Sequence, residues 1–272
     1  MPSSGARQAM SARDLLLAAL LITVWSSNFV VAPIGLRLVP PFTLATLRFL
    51  FAGVPAVLFV RRPKVSWVRL GVFGALFGLG QFGLLFLAIR EGLAPTLASL
   101  IIQMQVFFTA GFAALFFGER VRFHNLVALG LAAAGLVLIG FRGGISAPAS
   151  GVLLALLAAL SWALCNMIGR QVDRAEMPAF IIWSSLLAVP PLLVVTFWIE
   201  GPARLVSAIL HPGAEIIAIV AWQSCANTIW GYTVWNRLLA RYSAAQVAPL
   251  SLPVPIIAGL LSILILGEPI FA

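Results

Sequence analysis

The stretch LLLAALLITVWSSNFVVAPIGL, Leu15–Leu36, contains no charged residue. A helix rises about 1.5 Å per residue, so roughly twenty apolar residues cross a hydrocarbon core about 30 Å thick. Similar runs recur along the chain, separated by short loops with Arg, Gly or Pro. They place spans at 15–36, 41–60, 70–89, 93–117, 124–141, 151–169, 178–199, 215–236 and 244–267. A water-soluble domain has no use for so many runs of that length. The pattern predicts an all-α integral membrane protein whose function lies between its helices.

The 272 residues are 62% hydrophobic and 9% charged, with a net charge of +9. Such a charge can signal nucleic acid or anionic lipid, but its placement matters more than its sum. Of the 17 Arg and Lys, twelve fall at span ends on the N-terminal side and four (Arg37, Arg90, Arg142 and Arg204) on the other, while Arg48 lies inside a span. This bias places residues 1–14 in the cytoplasm. No basic and aromatic surface motif accompanies it, so membrane lipid is the expected partner and nucleic acid is not. The first run is too long for a signal-peptide core and lacks a small-residue cleavage site, so it is expected to persist in the mature protein. Cys165 and Cys225 both fall inside spans, which suggests neither a disulfide nor a metal site.

The chain repeats itself weakly. Trp25 and Asn28 resemble Trp162 and Asn166; Pro40-Pro41-Phe42 is echoed by Pro178-Ala179-Phe180; Phe117-Gly118-Glu119 is echoed by Leu266-Gly267-Glu268. Residues 15–141 then form a first repeat of five spans, 142–150 a linker, and 151–272 a second repeat with four spans. An odd number of spans per repeat inverts the second against the first, and inverted repeats place a substrate site at the midplane. After Glu119 the first half continues through another span, whereas the chain stops four residues past Glu268. A tenth span is therefore expected and missing.

Trp25-Ser-Ser-Asn28-Phe-Val, Pro40-Pro41-Phe42 with Leu47-Arg48-Phe49, Ala98-Ser99-Leu-Ile-Ile-Gln103, Gly118-Glu119-Arg120 and Ala248-Pro249-Leu250-Ser251 together resemble the EamA-type exporters of the drug/metabolite transporter superfamily. The likeness runs through nearly the whole chain in matching order and is closest to bacterial O-acetylserine/cysteine and aromatic amino-acid exporters. The resemblance implies ten helices in two inverted repeats, the bacterial inner membrane, and efflux of amino acids or related small metabolites by alternating access. It implies no cofactor. Oligomeric state stays open, a monomer being compatible.

Arg48 is the most unusual residue, a charge some eight positions into a span with no acid in that span. Such a charge costs on the order of 3 kcal/mol, so it should face protein or water, where it can hold a carboxylate or cap carbonyls. In-span amides also need partners. Trp25 with Asn28, Trp162 with Asn166, Ser99 with Gln103, and Gln223 with Asn227 and Trp230 share helical faces, leaving Gln105 turned elsewhere. Gln81 and Trp183 add groups from further spans. The expected substrate-binding set is Trp25, Asn28, Arg48, Gln81, Ser99, Gln103, Trp162, Asn166, Trp183, Asn227 and Trp230; helix packing is the alternative for each. Pro249, Pro253 and Pro255 should kink the last span and make it a gate.

No Asp, Glu or His falls in the middle of any span. No catalytic residue is expected, and transport should run without a dedicated intramembrane proton site, with Glu91, Glu119 and His124 as possible exceptions. A membrane-embedded enzyme, a scaffold and a channel remain the alternatives.

Overall fold

The computed structural model describes residues 10–118 and 148–266, all helix and loop with no strand among them. The span expected at 124–141, and Glu119, His124 and Glu268, lie outside the described residues. The helices are α1 (Ala12–Leu38), α2 (Pro41–Val57), α3 (Trp67–Arg90), α4 (Pro95–Phe117), α5 (Ala149–Gly169), α6 (Arg174–Glu200), α7 (Pro202–Leu210), α8 (Ala214–Arg241) and α9 (Ala248–Leu266). Six are long and apolar enough to cross a bilayer, and the α7–α8 pair, bent by 98°, adds a seventh. At 17 residues, α2 is shorter than the expected 41–60 span.

Local chemistry sets the ends. Ser11 and Ser66 accept the backbone N–H groups of Asp14 and Arg69 as N-caps of α1 and α3. Helix α4 stops at Gly118, whose φ of 63° lets it close the last turn in the left-handed region. The outer surface is apolar, with Leu16, Val68, Leu115 and Leu264 exposed, while Asn28, Gln81, Gln103 and Asn166 are buried. That distribution reverses a soluble protein's and fits a bundle solvated by lipid.

Small residues bring the helices close. A Cβ on Gly53 would lie 2.6 Å from the Leu186 nitrogen, and one on Gly74 would lie 2.5 Å from the Ser184 carbonyl oxygen. These glycines seat α2 and α3 directly on the backbone of α6. Helix α5 does the same with the buried row Gly151, Ala155, Ala159 and Ala163.

Polar contacts define the two ends of the bundle. At one, Asp14 pairs with Arg241 at 2.9 Å, Arg174 donates to the Ala240 carbonyl, and the Lys64 backbone N–H donates to Glu176. At the other, Glu200 accepts the N–H groups of Phe42 and Thr43 and the Thr43 hydroxyl, each at 2.7 Å, capping α2 from α6. Arg90 donates to the Leu36 carbonyl at that same end.

Candidate functional site

Irregular turns shape the centre of the bundle. Residues Leu76–Gly83 of α3 and Trp222–Gly231 of α8 are wound as π-helix, while Ile102–Met104 of α4 and Ala248–Ser251 of α9 tighten to 3-10 turns. Wide turns re-aim side chains and release backbone groups, which is why they gather at functional sites. Here they fall on helices that face one another.

Proline supplies the next step. Pro255 has no N–H, so the Ser251 carbonyl four residues earlier loses its helical partner. Gln103 fills the gap: its Nε2 donates to the Ser251 carbonyl oxygen and, at 3.4 Å, faces the Ser251 hydroxyl. A backbone carbonyl only accepts, so this contact fixes the orientation of the Gln103 amide. Its Oε1 is left buried and without a partner. The kinked last helix is thereby tied to α4 at the bundle centre.

Around this junction lies a cavity of about 30 Å³, lined by Trp25, Asn28, Phe29, Gln81, Phe82, Leu85, Ile102, Gln103, Trp162, Asn227, Tyr232 and Val254. That volume is about one water molecule's share. The walls are largely aromatic: Trp25 packs on Trp162, Tyr232 and Trp235 with ring centroids 5.3, 4.9 and 5.2 Å away. Among the polar lining residues, Asn28 Oδ1, Gln81 Oε1, Gln103 Oε1 and Trp162 Nε1 are buried with no hydrogen-bond partner. Each costs about 1–3 kcal/mol left that way. A ligand with both donors and acceptors would relieve them.

Arg48 stands one layer back. Its Nε donates to the Thr228 hydroxyl at 2.7 Å, and its guanidinium lies 3.6 Å from the centroid of Phe82, a lining residue. It is fully buried, and its two terminal nitrogens make no hydrogen bond. The cation is therefore held by a hydroxyl and a ring face, with its remaining donors unspent.

The structure brings Trp25, Asn28, Gln81, Gln103, Trp162 and Asn227 to the cavity wall and Arg48 behind it. Four other expected residues sit elsewhere. Ser99 is buried and donates to the Thr96 carbonyl of its own turn at 2.6 Å. Asn166 is fully engaged between helices, donating to Gln105 and Thr109 and accepting from Trp235 at 2.8 Å. Trp183 donates to the Val60 carbonyl at 3.1 Å and packs on Trp67, pinning the loop after α2. Trp230 is half-buried outside the cavity lining, because the π-turns advance the register of α8. Thr228 accordingly donates to the Gln223 carbonyl five residues back, and Tyr232 rather than Trp230 shares the cavity with Asn227.

Tyr232 and Phe82 are wall residues that sequence reasoning missed. Tyr232 carries a signal, as one of two tyrosines in the chain, and its hydroxyl accepts from Gln81 Nε2. Gln105 lies outside the cavity lining, donating to the Ser251 hydroxyl at 3.0 Å and accepting from Asn166 and Thr109. Within α9, Pro249 sits in the Ala248–Ser251 3-10 turn, Pro253 caps the Val254–Leu261 stretch and Pro255 lies in its first turn.

The helical membrane fold with a polar, aromatic cavity at its centre defines a membrane transporter class, and comparison with known proteins makes it specific. The chain belongs to the EamA-like transporter family, whose model matches it twice, over residues 13–141 and 149–271. It is 38% identical over 265 residues to the "probable amino-acid metabolite efflux pump" of Salmonella typhimurium, covering 95% of this chain and 89% of that protein. The protein of the same description from Escherichia coli K12 matches equally. The "uncharacterized inner membrane transporter YedA" of Escherichia coli is 25% identical, covering 91% of this chain and 81% of its own length. One solved crystal structure superposes with a TM-score of 0.64 over 94% of this chain and 88% of its own, at 24% identity, a likeness of fold.

Proposed function

We propose that this protein is a secondary transporter of the bacterial inner membrane, exporting amino acids and related small metabolites by alternating access. The observation that carries the reading is the set of unpartnered groups on Asn28, Gln81, Gln103 and Trp162 around one aromatic cavity. An amino acid matches them: amide oxygens and ring faces suit its ammonium, and the indole N–H suits its carboxylate, with Arg48 adding positive charge from behind Phe82. The names of the Salmonella and Escherichia relatives point to the same substrate class.

The transport cycle follows from the same geometry. At about 30 Å³ the cavity is closed around less than a substrate, so helices must part to load it. Two inverted repeats would supply the motion. Supporting them, α1, α2, α3 and α4 run in opposite directions to α5, α6, α8 and α9, as the end contacts of Asp14, Lys64, Glu200 and Arg90 require. Helix α9, kinked at Pro249, Pro253 and Pro255 and held by Gln103, is the proposed gate. The proposal puts the end bearing Asp14 and Arg241 in the cytoplasm, a reading supported by the basic residues gathered there.

Among the described residues, the cavity lining contains no Asp, Glu or His. The proposal therefore includes transport down the substrate gradient or by exchange. The test is counterflow: liposomes containing the purified chain are preloaded with unlabelled amino acids from a panel, and uptake of labelled substrate is followed. Transient, saturable accumulation at equal pH on both sides is expected. Linear, unsaturable flux would point to a channel, and no flux would reject the reading.

A further inference from the structure

A second, larger site lies on the flank of the bundle. Leu47, Phe51 and Pro55 form a stripe along α2, and Ile217, Ala221 and Cys225 form a facing stripe along α8. Between them runs an apolar groove of about 350 Å³, roofed by Ala208 and Ile209 of α7. Its volume falls within the ordinary range for a small-molecule site.

A second space adjoins the groove. Across α7 lies a cleft of about 360 Å³ lined by Arg204, Ser207, His211 and Glu215, and the two spaces share Ala208 and Ile216. An apolar slot and a polar mouth of both charges thus lie side by side, with Ala208 and Ile216 in the wall of each. Helix α7 marks the depth of that mouth. Bent 98° from α8, it lies across the bundle axis, with Leu205 buried and Val206, Ile209 and Leu210 exposed. Trp198, just before it, is 90% exposed. An amphipathic helix lying crosswise beside an exposed indole belongs at the membrane interface.

We propose that the adjoining groove and cleft together bind one phospholipid with an ammonium headgroup, its acyl chain in the groove and its headgroup in the cleft. Arg204 offers charge-assisted hydrogen bonds to a phosphate, with Ser207 and His211 beside it, and Glu215 faces the ammonium. A transmembrane helix of a second copy would fill the apolar groove but bring nothing to match Arg204 and Glu215 in the cleft beside it. A purely apolar occupant would leave the charged mouth unmatched.

Occupancy would bear on transport. Ser224 lines the groove and donates to the Arg48 backbone carbonyl at 2.8 Å. The chain in the groove therefore packs against the α2–α8 contact that holds Arg48 to Thr228.

The test uses the full chain purified in detergent, with phosphatidylethanolamine and phosphatidylglycerol added separately. Native mass spectrometry should show one retained phosphatidylethanolamine and at least fivefold less phosphatidylglycerol. Ala221→Trp and Cys225→Trp fill the groove and should each cut retention at least tenfold; Glu215→Gln should erase the headgroup preference. In the wild-type chain, phosphatidylethanolamine should slow maleimide alkylation of the exposed Cys225 at least fivefold, Cys165 being buried. Equal retention of both lipids, undiminished retention in a folded groove-filling variant, or Cys225 alkylation indifferent to lipid would each overturn the proposal.

Discussion

Gln103 donates its side-chain amide to the Ser251 carbonyl, taking the place of the backbone N–H that Pro255 lacks. A sequence feature of one half thus creates a vacancy that a side chain of the other half fills. Pro255→Ala would restore the helical donor and compete with Gln103 for that carbonyl. Thermal unfolding should show equal or higher stability, while transport falls, because the freed helix no longer bends where the gate needs it. Wild-type transport by Pro255→Ala would remove α9 from the gating role.

Arg48 should resist its nearest chemical substitute. Lysine keeps the charge but cannot both reach Thr228 through an Nε–H and lay a planar cation on Phe82. Arg48→Lys should reduce transport at least tenfold with normal membrane insertion. Thr228→Val, which removes only the hydroxyl, should cost about 1 kcal/mol of stability. Full activity in Arg48→Lys would show that charge alone suffices.

Close helix approach yields a paired stability test. Gly53→Ala drives a Cβ to 2.6 Å from the Leu186 backbone nitrogen, and should destabilise by about 1–3 kcal/mol. Gly71→Ala meets nothing within 4 Å and should be neutral or stabilising by up to about 1 kcal/mol. Equal unfolding temperatures for the two variants would contradict the described seating of α2 on α6.

Orientation is checked from outside whole cells, in a Cys225→Ser background. Ser66→Cys should resist an impermeant thiol reagent, and His211→Cys should react readily. The reverse pattern would turn the protein over in the membrane.

The bundle, its loops and the polar half of the cavity wall are legible because apolar length and polar residues inside spans are strong signals. Trp25, Asn28 and Trp162 stand out in that way. The failures have two causes. The expected face of Trp230 assumes regular α-helix, and the π-turns in α8 move the register beneath it. Periodicity cannot see such turns, since no residue type demands them. Trp183 and Asn166 have the right chemistry but found partners in the fold itself, a loop carbonyl for one and a three-residue network for the other. Whether a buried amide or indole is spoken for depends on long-range geometry.

The central claim is that the unpartnered groups of the cavity are reserved for substrate, and Trp162 tests it most directly. Trp162→Phe removes the free N–H while keeping an aromatic ring; Trp230→Phe makes the same chemical change outside the cavity. The measurement is equilibrium binding of the substrate identified by counterflow, for both variants and the wild type. The account predicts that Trp162→Phe weakens binding about tenfold, the loss of one hydrogen bond to a charged group, while Trp230→Phe binds as the wild type does. Equal affinities for both variants, or a loss confined to Trp230→Phe, would contradict it.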